Sequence, residues 1–326
     1  MRRRQFIALV GSAAAWPLVA LAQQPGMPVI GFLHSASPVS YASQVEAFRQ
    51  SLKETGFVEG QNVAIEYRWA ENQIARLPTM AAELAHRQVS VIVAGGSPVS
   101  ALAAKSATTT IPIVFMNVAD PVGIGLVASF NRPGGNVTGA TLLSAELGAK
   151  RLGILRDLLP SVKRIFMLVN RTRPGVDAQK AQVQEAAQTL GLALQILEAS
   201  SERDFEAVFQ AVVSQQDGAL IVAPDAFFLT QRVQIADLAT RYRIATMYEL
   251  RDFVEAGGLI SYGARSVDLY RLGGTLTGQI LMGKKPADLP VLQPTKFELA
   301  INMKTARALG LTISSGLLSI ADELIE

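Results

Sequence analysis

Short apolar runs alternate with amphipathic stretches along this chain of 326 residues, and this alternation constrains the fold most strongly. The runs in the first half are predicted strands at residues 29–33, 89–94 and 111–115. Continuous apolar runs of this length are typical of parallel strands that are buried on both faces. Residues 41–54 and 77–86 carry apolar side chains at helical spacing between them. Strands that alternate with helices in this way predict an α/β fold with open parallel sheets.

The same alternation restarts after Gly139 and ends at a glycine-bounded strand near Gly263. Residues 145–159 and 228–242 are predicted helices of this second half, and residues 164–169 are a predicted strand. We therefore expect two Rossmann-like lobes that are joined by a hinge. The expected first lobe consists of residues 27–139 and 264–296, and the expected second lobe of residues 140–263 and 297–326.

The first 22 residues have the order of a secretory signal peptide. Three arginines precede an apolar stretch that ends in the cleavage motif Ala20-Leu21-Ala22. The paired arginines indicate export by the twin-arginine route. A membrane anchor is the alternative, but Gly11, Ser12 and Pro17 interrupt the stretch, which is short for a span of ~20 residues. We expect cleavage after Ala22 and a soluble protein in the periplasm.

Export changes the interpretation of the charge. The full chain has 30 Lys and Arg residues against 27 Asp and Glu residues, and residues 1–22 hold three arginines and no acid. The mature chain therefore has no net charge and lacks the basic excess typical of nucleic-acid-binding proteins. Cysteine is absent, and His34 and His86 are the only histidines, which argues against thiolate and multi-histidine metal sites. We expect no metal, no cofactor and no nucleic-acid partner.

Small hydroxyl residues follow two predicted strands of the first half. Ser35 and Ser37 come after the first strand, and Ser97 comes directly after Gly95-Gly96. Such loops lead into helix N-termini, whose free N–H groups and dipole favour an anion such as a carboxylate. These serines are therefore candidate ligand-binding residues, and helix capping is their alternative role.

Acidic and amide side chains follow further strands. Asp120 comes after the third core strand, where it is a candidate partner for a ligand ammonium or, alternatively, an N-cap before Pro121. Asn170 and Asp225 come after strands of the second half. Because open α/β sheets bind ligands at the carboxyl ends of their strands, we expect these side chains to face a gap that the lobes share.

Aromatic residues lie near the same predicted gap. Tyr248 and Tyr262 end or belong to predicted strands, and Phe227 and Phe228 follow Asp225. Their rings have the size and shape to stack on a flat ligand, and core packing is the alternative. We include Tyr248 and Tyr262 among the candidate ligand-binding residues.

Motifs for nucleotide binding and hydrolysis are missing from the sequence. It contains no GxGxxG after a strand, no GxxxxGK[ST] loop and no GxSxG elbow. The sequence therefore predicts no catalytic residue, and we do not expect an enzyme.

Several segments together resemble those of ABC-transporter substrate-binding proteins of the tryptophan/tyrosine type. They are LKETGFVEGQNV at 52–63, IVF at 113–115 with DPVG at 120–123, RPGGNVTG at 132–139, LLPSVKR at 158–164, FVEAGGL at 253–259, and residues 301–311. The resemblance extends over nearly the whole mature length. The chain departs from many relatives at Ser97 and in residues 170–174, Asn-Arg-Thr-Arg-Pro, where a shorter Asn-Pro type turn is common.

The resemblance implies a type I periplasmic-binding-protein fold with two Rossmann-like lobes and a three-segment hinge. It also implies an ABC permease as partner and an amino-acid-like or aromatic ligand, since members with known ligands bind aromatic amino acids. We expect a monomer. Two alternatives remain open from the sequence: a periplasmic ligand sensor for a membrane receptor, and a secreted α/β hydrolase, which the scarcity of histidine disfavours.

Overall fold

The computed structural model of the protein describes residues 26–141, 146–215 and 218–326, so the predicted signal peptide lies outside the described residues. The strands are β1 (Val29–His34), β2 (Ala64–Trp69), β3 (Val91–Gly95), β4 (Ile113–Val118), β5 (Val137–Thr141), β6 (Arg164–Val169), β7 (Ala193–Glu198), β8 (Gly218–Val222), β9 (Thr246–Tyr248), β10 (Ile260–Gly263), β11 (Glu298–Asn302) and β12 (Glu323–Ile325). The helices are α1 (Ala42–Glu54), α2 (Leu77–His86), α3 (Pro98–Ala107), α4 (Glu146–Leu158), α5 (Val176–Thr189), α6 (Asp204–Val213), α7 (Ala226–Thr230), α8 (Arg232–Arg241), α9 (Arg251–Glu255), α10 (Ser266–Leu281), α11 (Met303–Leu309) and α12 (Ser315–Ile320).

The strands form two sheets. The first has the order β2-β1-β3-β4-β5, and its strands are all parallel. The second has the order β12-β11-β10-β9-β8-β6-β7, in which only the β10–β11 pair is antiparallel among the described strands. The predicted α/β class with two mainly parallel sheets is thus confirmed.

Apolar side chains cover both faces of each sheet. Every residue of β3 is buried, as the continuous apolar run predicts. One buried cluster contains Leu84 and Phe115 of the first lobe, and a second contains Met167 and Ile301 of the second lobe. The largest cluster combines side chains of both lobes, including Phe32, Phe48, Phe166 and Phe205. The lobes therefore share part of their apolar core.

Helix α10 returns the chain from the second sheet to the first, where it packs against α1. Gly274 makes this close approach possible, since a Cβ atom there would lie 2.4 Å from the carbonyl oxygen of Phe48. Tyr270 on the same helix is fully buried and reaches the end of β1.

The chain passes between the two sheets three times. The first passage follows β5 and includes residues 142–145, which lie outside the described residues. The second connects β10 to α10, and the third leads into β11. Before the third passage, Leu292 pairs with the edge of β5 through two backbone hydrogen bonds of 2.9 Å, to Gly139 and from Thr141. The exact lobe boundaries stay a prediction.

Candidate functional site

A gap between the two lobes lies where the winding of each sheet reverses direction. In the first sheet this point lies between β1 and β3, and in the second between β6 and β8. Loops on either side of such a point leave a crevice at the carboxyl ends of the strands. The crevice here is a cavity of about 310 Å³. It is lined by Ser35, Asn72, Ile74, Ser97 and Val99 of the first lobe and by Asn170, Thr172, Arg173, Pro174, Ser200, Asp225, Ala226 and Phe227 of the second.

Two buried serines supply polar groups from the first lobe. Ser35 is fully buried, and Ser97 is 7% exposed. No described residue forms a hydrogen bond with either hydroxyl. Ser97 occupies the N-cap position of α3 with extended backbone, but its side chain makes no capping hydrogen bond. Its hydroxyl and the N-terminus of α3 are therefore available to an anion in the cavity.

A glycine turn and a buried histidine hold these serines in place. Gly96 has a φ of +84°, and a Cβ atom there would lie 2.4 Å from Ser35 Oγ. His34 lies under the turn, where its Nδ1 accepts a 3.0 Å hydrogen bond from the N–H of Ala36. Its Nε2 is therefore the protonated nitrogen and donates to the Tyr270 hydroxyl at 2.7 Å. Burial lowers the pKa of His34 to about 3, so the ring is neutral near pH 7.

Asp225 supplies a carboxylate from the second lobe. It caps α7, because its Oδ1 accepts hydrogen bonds from the N–H groups of Phe227 at 2.8 Å and Phe228 at 3.3 Å. Asn170 Nδ2 lies 3.3 Å from both carboxylate oxygens. Burial raises the pKa of Asp225, whereas the Arg173 charge and these hydrogen bonds oppose the rise. Asp225 is thus both a helix cap and a half-buried negative charge at the cavity.

Arg173 is a lining residue that was not predicted from the sequence. The residue as a whole is half-buried, and its Nη1 donates to Gln179 Oε1 at 3.1 Å. Desolvation lowers its pKa, and the negative charges of Asp225 and Glu249 act in the opposite direction. The one signal in the sequence was the unusual segment at residues 170–174, but a loop sequence does not indicate where a long side chain points.

The apolar part of the cavity comes from both lobes. Phe227 is half-buried and stacks on Phe205 with ring centroids 5.5 Å apart. Ile74 and Val99 lie on the wall of the first lobe. Phe228, the alternative aromatic candidate, is fully buried in the core.

The structure brings four of the eight predicted residues to this cavity, namely Ser35, Ser97, Asn170 and Asp225. Asp120 lies on a smaller adjoining hollow of about 30 Å³, which Arg173 also lines. It is exposed, and its Oδ1 accepts a 2.7 Å hydrogen bond from the N–H of Gly123, so it caps the turn that follows β4.

The remaining three predicted residues lie elsewhere among the described residues. The half-buried Ser37 hydroxyl lies 3.1 Å from that of Ser40. Tyr248 is fully buried and stacks on Phe253 at 4.7 Å, because β9 is covered on both faces. Tyr262 is half-buried against the core of the second lobe. These positions favour the core-packing alternative for the two tyrosines.

Two polar contacts join the lobes beside the cavity. Asn72 Nδ2 donates to Thr230 Oγ1 at 3.1 Å. Gln44 Nε2 donates to Asp252 Oδ1 at 3.0 Å. The two lobes are therefore in direct contact through these hydrogen bonds.

The described residues lack two other features, a metal-binding cluster and a membrane-spanning helix. Within them, no three His, Asp or Glu side chains form a group that could hold a metal ion. None of their helices has both the length and the apolar character of a bilayer-spanning helix.

Comparisons with known proteins agree on one family. The sequence profile described as ABC transporter substrate binding protein matches residues 29–325. A tyrosine-binding protein of Clostridioides difficile is 28% identical over 268 residues, which cover 81% of this chain and 75% of that protein.

Two solved structures are similar over 91% of this chain and 99% of their own chains, each at 25% identity. One is an ABC domain in complex with L-Trp from Streptococcus pneumoniae, with a TM-score of 0.84. The other is a ligand-free, open structure of a substrate-binding protein with adhesive properties from Clostridium difficile, with a TM-score of 0.68. The backbone of this chain therefore matches the ligand-bound relative better than the open one.

Proposed function

Since this chain belongs to the family of ABC transporter substrate-binding proteins, a non-enzymatic component of transport, we propose that it captures an aromatic amino acid between its two lobes. The closing of the lobes on the ligand would then present the complex to an ABC permease in the membrane. The work of such a protein is differential affinity for the closed state, with no bond made or broken.

The chemistry of the cavity walls supports this ligand. Ser35 and Ser97 offer unpartnered hydroxyls from one lobe, and Asp225 offers a half-buried carboxylate from the other. An amino acid carries both complementary charges, a carboxylate for the hydroxyls and an ammonium for Asp225. Phe227 provides an aromatic surface for a flat side chain. One cavity thus combines serine hydroxyls of the first lobe with a carboxylate and an aromatic ring of the second. This combination is the observation that carries the proposal.

The relatives point to the same ligand class. One is a tyrosine-binding protein, and another binds L-Trp in its crystal structure. The better match to the L-Trp complex than to the ligand-free, open structure supports a closed conformation for the described chain.

The proposal also includes the place and the state of the protein. Removal of residues 1–22 would release a monomer into the periplasm. Closure would move a first lobe of residues 27–139 and 264–296 against a second lobe of residues 140–263 and 297–326.

Isothermal titration calorimetry on the chain from Gln23 onward tests the proposed ligand. We expect L-Trp or L-Tyr to bind with one molecule per chain, and L-Leu to bind more weakly because it lacks a ring to stack on Phe227. Absence of binding by both aromatic amino acids would refute the proposal.

A further inference from the structure

Arg173 carries a positive charge that has no close anionic partner among the described residues. Among the described residues, Gln179 alone accepts a hydrogen bond from its guanidinium, and no carboxylate lies within 4.0 Å. A guanidinium has five N–H donors, so most of them are free for another acceptor. The side chain is half-buried at the boundary between the cavity and the adjoining hollow, because it lines both.

The N-terminus of α3, which belongs to the first lobe, lines the same two spaces. Pro98 lines the hollow together with Arg173, and Ser97 and Val99 line the cavity together with it. The Ser97 hydroxyl is buried and unpartnered there. The Arg173 guanidinium of one lobe thus lines the same space as the free Ser97 hydroxyl and the α3 N-terminus of the other. Each of these three groups favours an anion.

We propose that Arg173 and Ser97 form a carboxylate subsite that spans the two lobes, with Arg173 as a specificity-determining residue. The ligand carboxylate would bind Arg173 on one lobe and Ser97 on the other, and thereby hold the lobes together. Asp225 would remain free to bind the ligand ammonium. This inference rests on the proposed function, because an amino acid supplies both groups.

A simpler role for Arg173 is to neutralise Asp225 without contacting the ligand. The two roles differ in one measurable respect. A residue that binds the carboxylate discriminates between an amino acid and its amide, whereas a residue that only neutralises Asp225 affects both ligands alike.

Calorimetry with L-Trp and L-tryptophanamide therefore tests the proposal. We expect the wild-type mature chain to prefer L-Trp, and R173Q to weaken L-Trp binding about 10- to 100-fold, the effect of losing a charge-assisted hydrogen bond. The same substitution should change the affinity for the amide by less than about 3-fold, because Arg173 would not contact the amide group directly. R173K keeps the charge but loses the planar fork, and should give an intermediate loss.

Arg171→Gln is the matched control, because Arg171 is exposed in the same loop. It should leave both affinities unchanged, and the melting temperatures of all variants show whether they fold. Equal weakening of acid and amide in R173Q, or wild-type affinity for L-Trp in that variant, would overturn the proposal.

The experiment separates this inference from the proposed function. If neither L-Trp nor L-Tyr binds the wild type, the proposed function fails, and benzoate and indole-3-propionate become the probes. Binding of either carboxylate to the wild type but not to R173Q would uphold the subsite. Binding that is equal in both proteins, or absent from the wild type, would overturn it.

Discussion

At the scale of single residues, Ser97 lies at the N-cap position of α3, but its hydroxyl does not cap the helix. Serine at an N-cap position ordinarily accepts a hydrogen bond from the first turn of the helix. Ser97 does not, and its hydroxyl remains free at the cavity. By contrast, Ser314 caps α12 by accepting a hydrogen bond from the N–H of Leu317 at 3.3 Å.

Serine-to-alanine substitution at these two N-cap positions should have opposite effects on ligand affinity and on stability. Ser97→Ala removes no capping bond, so the free energy of unfolding should stay within about 0.5 kcal/mol of the wild type, while affinity for L-Trp falls about tenfold. Ser314→Ala should lower stability by about 1 kcal/mol and leave the affinity unchanged. Chemical denaturation and calorimetry on both variants measure this, and a stability loss in Ser97→Ala with normal affinity would contradict it.

We expect Asp225 to make ligand affinity depend on pH. Burial raises the pKa of this carboxyl group, so folding favours its protonated form and the ionised form destabilises the ligand-free protein. This destabilisation disappears as the pH falls through the raised pKa, because the carboxyl group is then protonated. The protonated group no longer has a negative charge to attract the ligand ammonium. His34 stays neutral until its pKa of about 3.

Affinity for L-Trp should accordingly be lower in acidic buffer than in neutral buffer in the wild type, since acid protonates Asp225. Asp225→Asn keeps an oxygen for the α7 cap but has no charge to lose, so its weaker affinity should not change with pH. Its stability at about pH 7 should be no lower than that of the wild type. Calorimetry in both buffers measures this, and parallel pH profiles for the two proteins would contradict the assignment.

At the scale of elements, the turn after β3 determines where Ser97 lies. Gly96→Ala adds left-handed strain and a Cβ atom 2.4 Å from Ser35 Oγ. Gly60 has a similar φ of +79° but has nothing within 4 Å of its Cβ position.

We expect Gly60→Ala to lower the free energy of unfolding by about 1 kcal/mol, which is the effect of backbone strain alone. Gly96→Ala should cost more, about 2–4 kcal/mol, since Ser35 and His34 must also shift. It should weaken L-Trp binding as well, whereas Gly60→Ala should not. Equal stability and affinity in the two variants would show that the turn does not position the site.

The sequence predicted elements well where burial follows the local pattern. Helix α2 and strand β6 begin and end at the predicted residues, 77–86 and 164–169. The predicted helix at residues 228–242 is in fact two helices that meet at Gln231, whose φ of −100° and ψ of 16° leave the helical region. No glycine or proline marks this break. Strand β5 was not predicted, because its pairing with β4 and Leu292 is a tertiary contact.

The candidate site was predictable in part for the same reason. Ser35, Ser97, Asn170 and Asp225 follow strands, and the parallel topology gathers strand ends at one edge. Tyr248 ends a strand too, but its burial depends on α9 packing over it through Phe253. Arg173 reaches the cavity only because the two lobes approach each other, which no local sequence pattern records.

For the whole molecule, the hydrogen bonds between the two lobes indicate a closed arrangement. Asn72 and Gln44 of the first lobe donate to residues of the second. We expect the ligand-free chain to open, since two solvated lobes have no ligand to bridge them. Small-angle scattering should give a smaller radius of gyration with saturating L-Trp than without. An unchanged radius would count against hinge closure.

Export is the second expectation for the whole chain. N-terminal sequencing of the periplasmic protein should begin at Gln23, and Arg3 and Arg4 replaced by Lys should block a twin-arginine route. A protein that still begins at Met1 would refute the signal peptide. Normal export of the lysine variant would refute the twin-arginine route alone.

A crystal structure of the mature chain grown with saturating L-Trp tests the central claim most directly. We predict electron density for one L-Trp molecule in the cavity between the lobes. Its carboxylate should lie within hydrogen-bond distance of Ser97 and its ammonium within that distance of Asp225, with the indole ring against Phe227. An empty cavity, or a ligand that contacts only one lobe, would contradict the account.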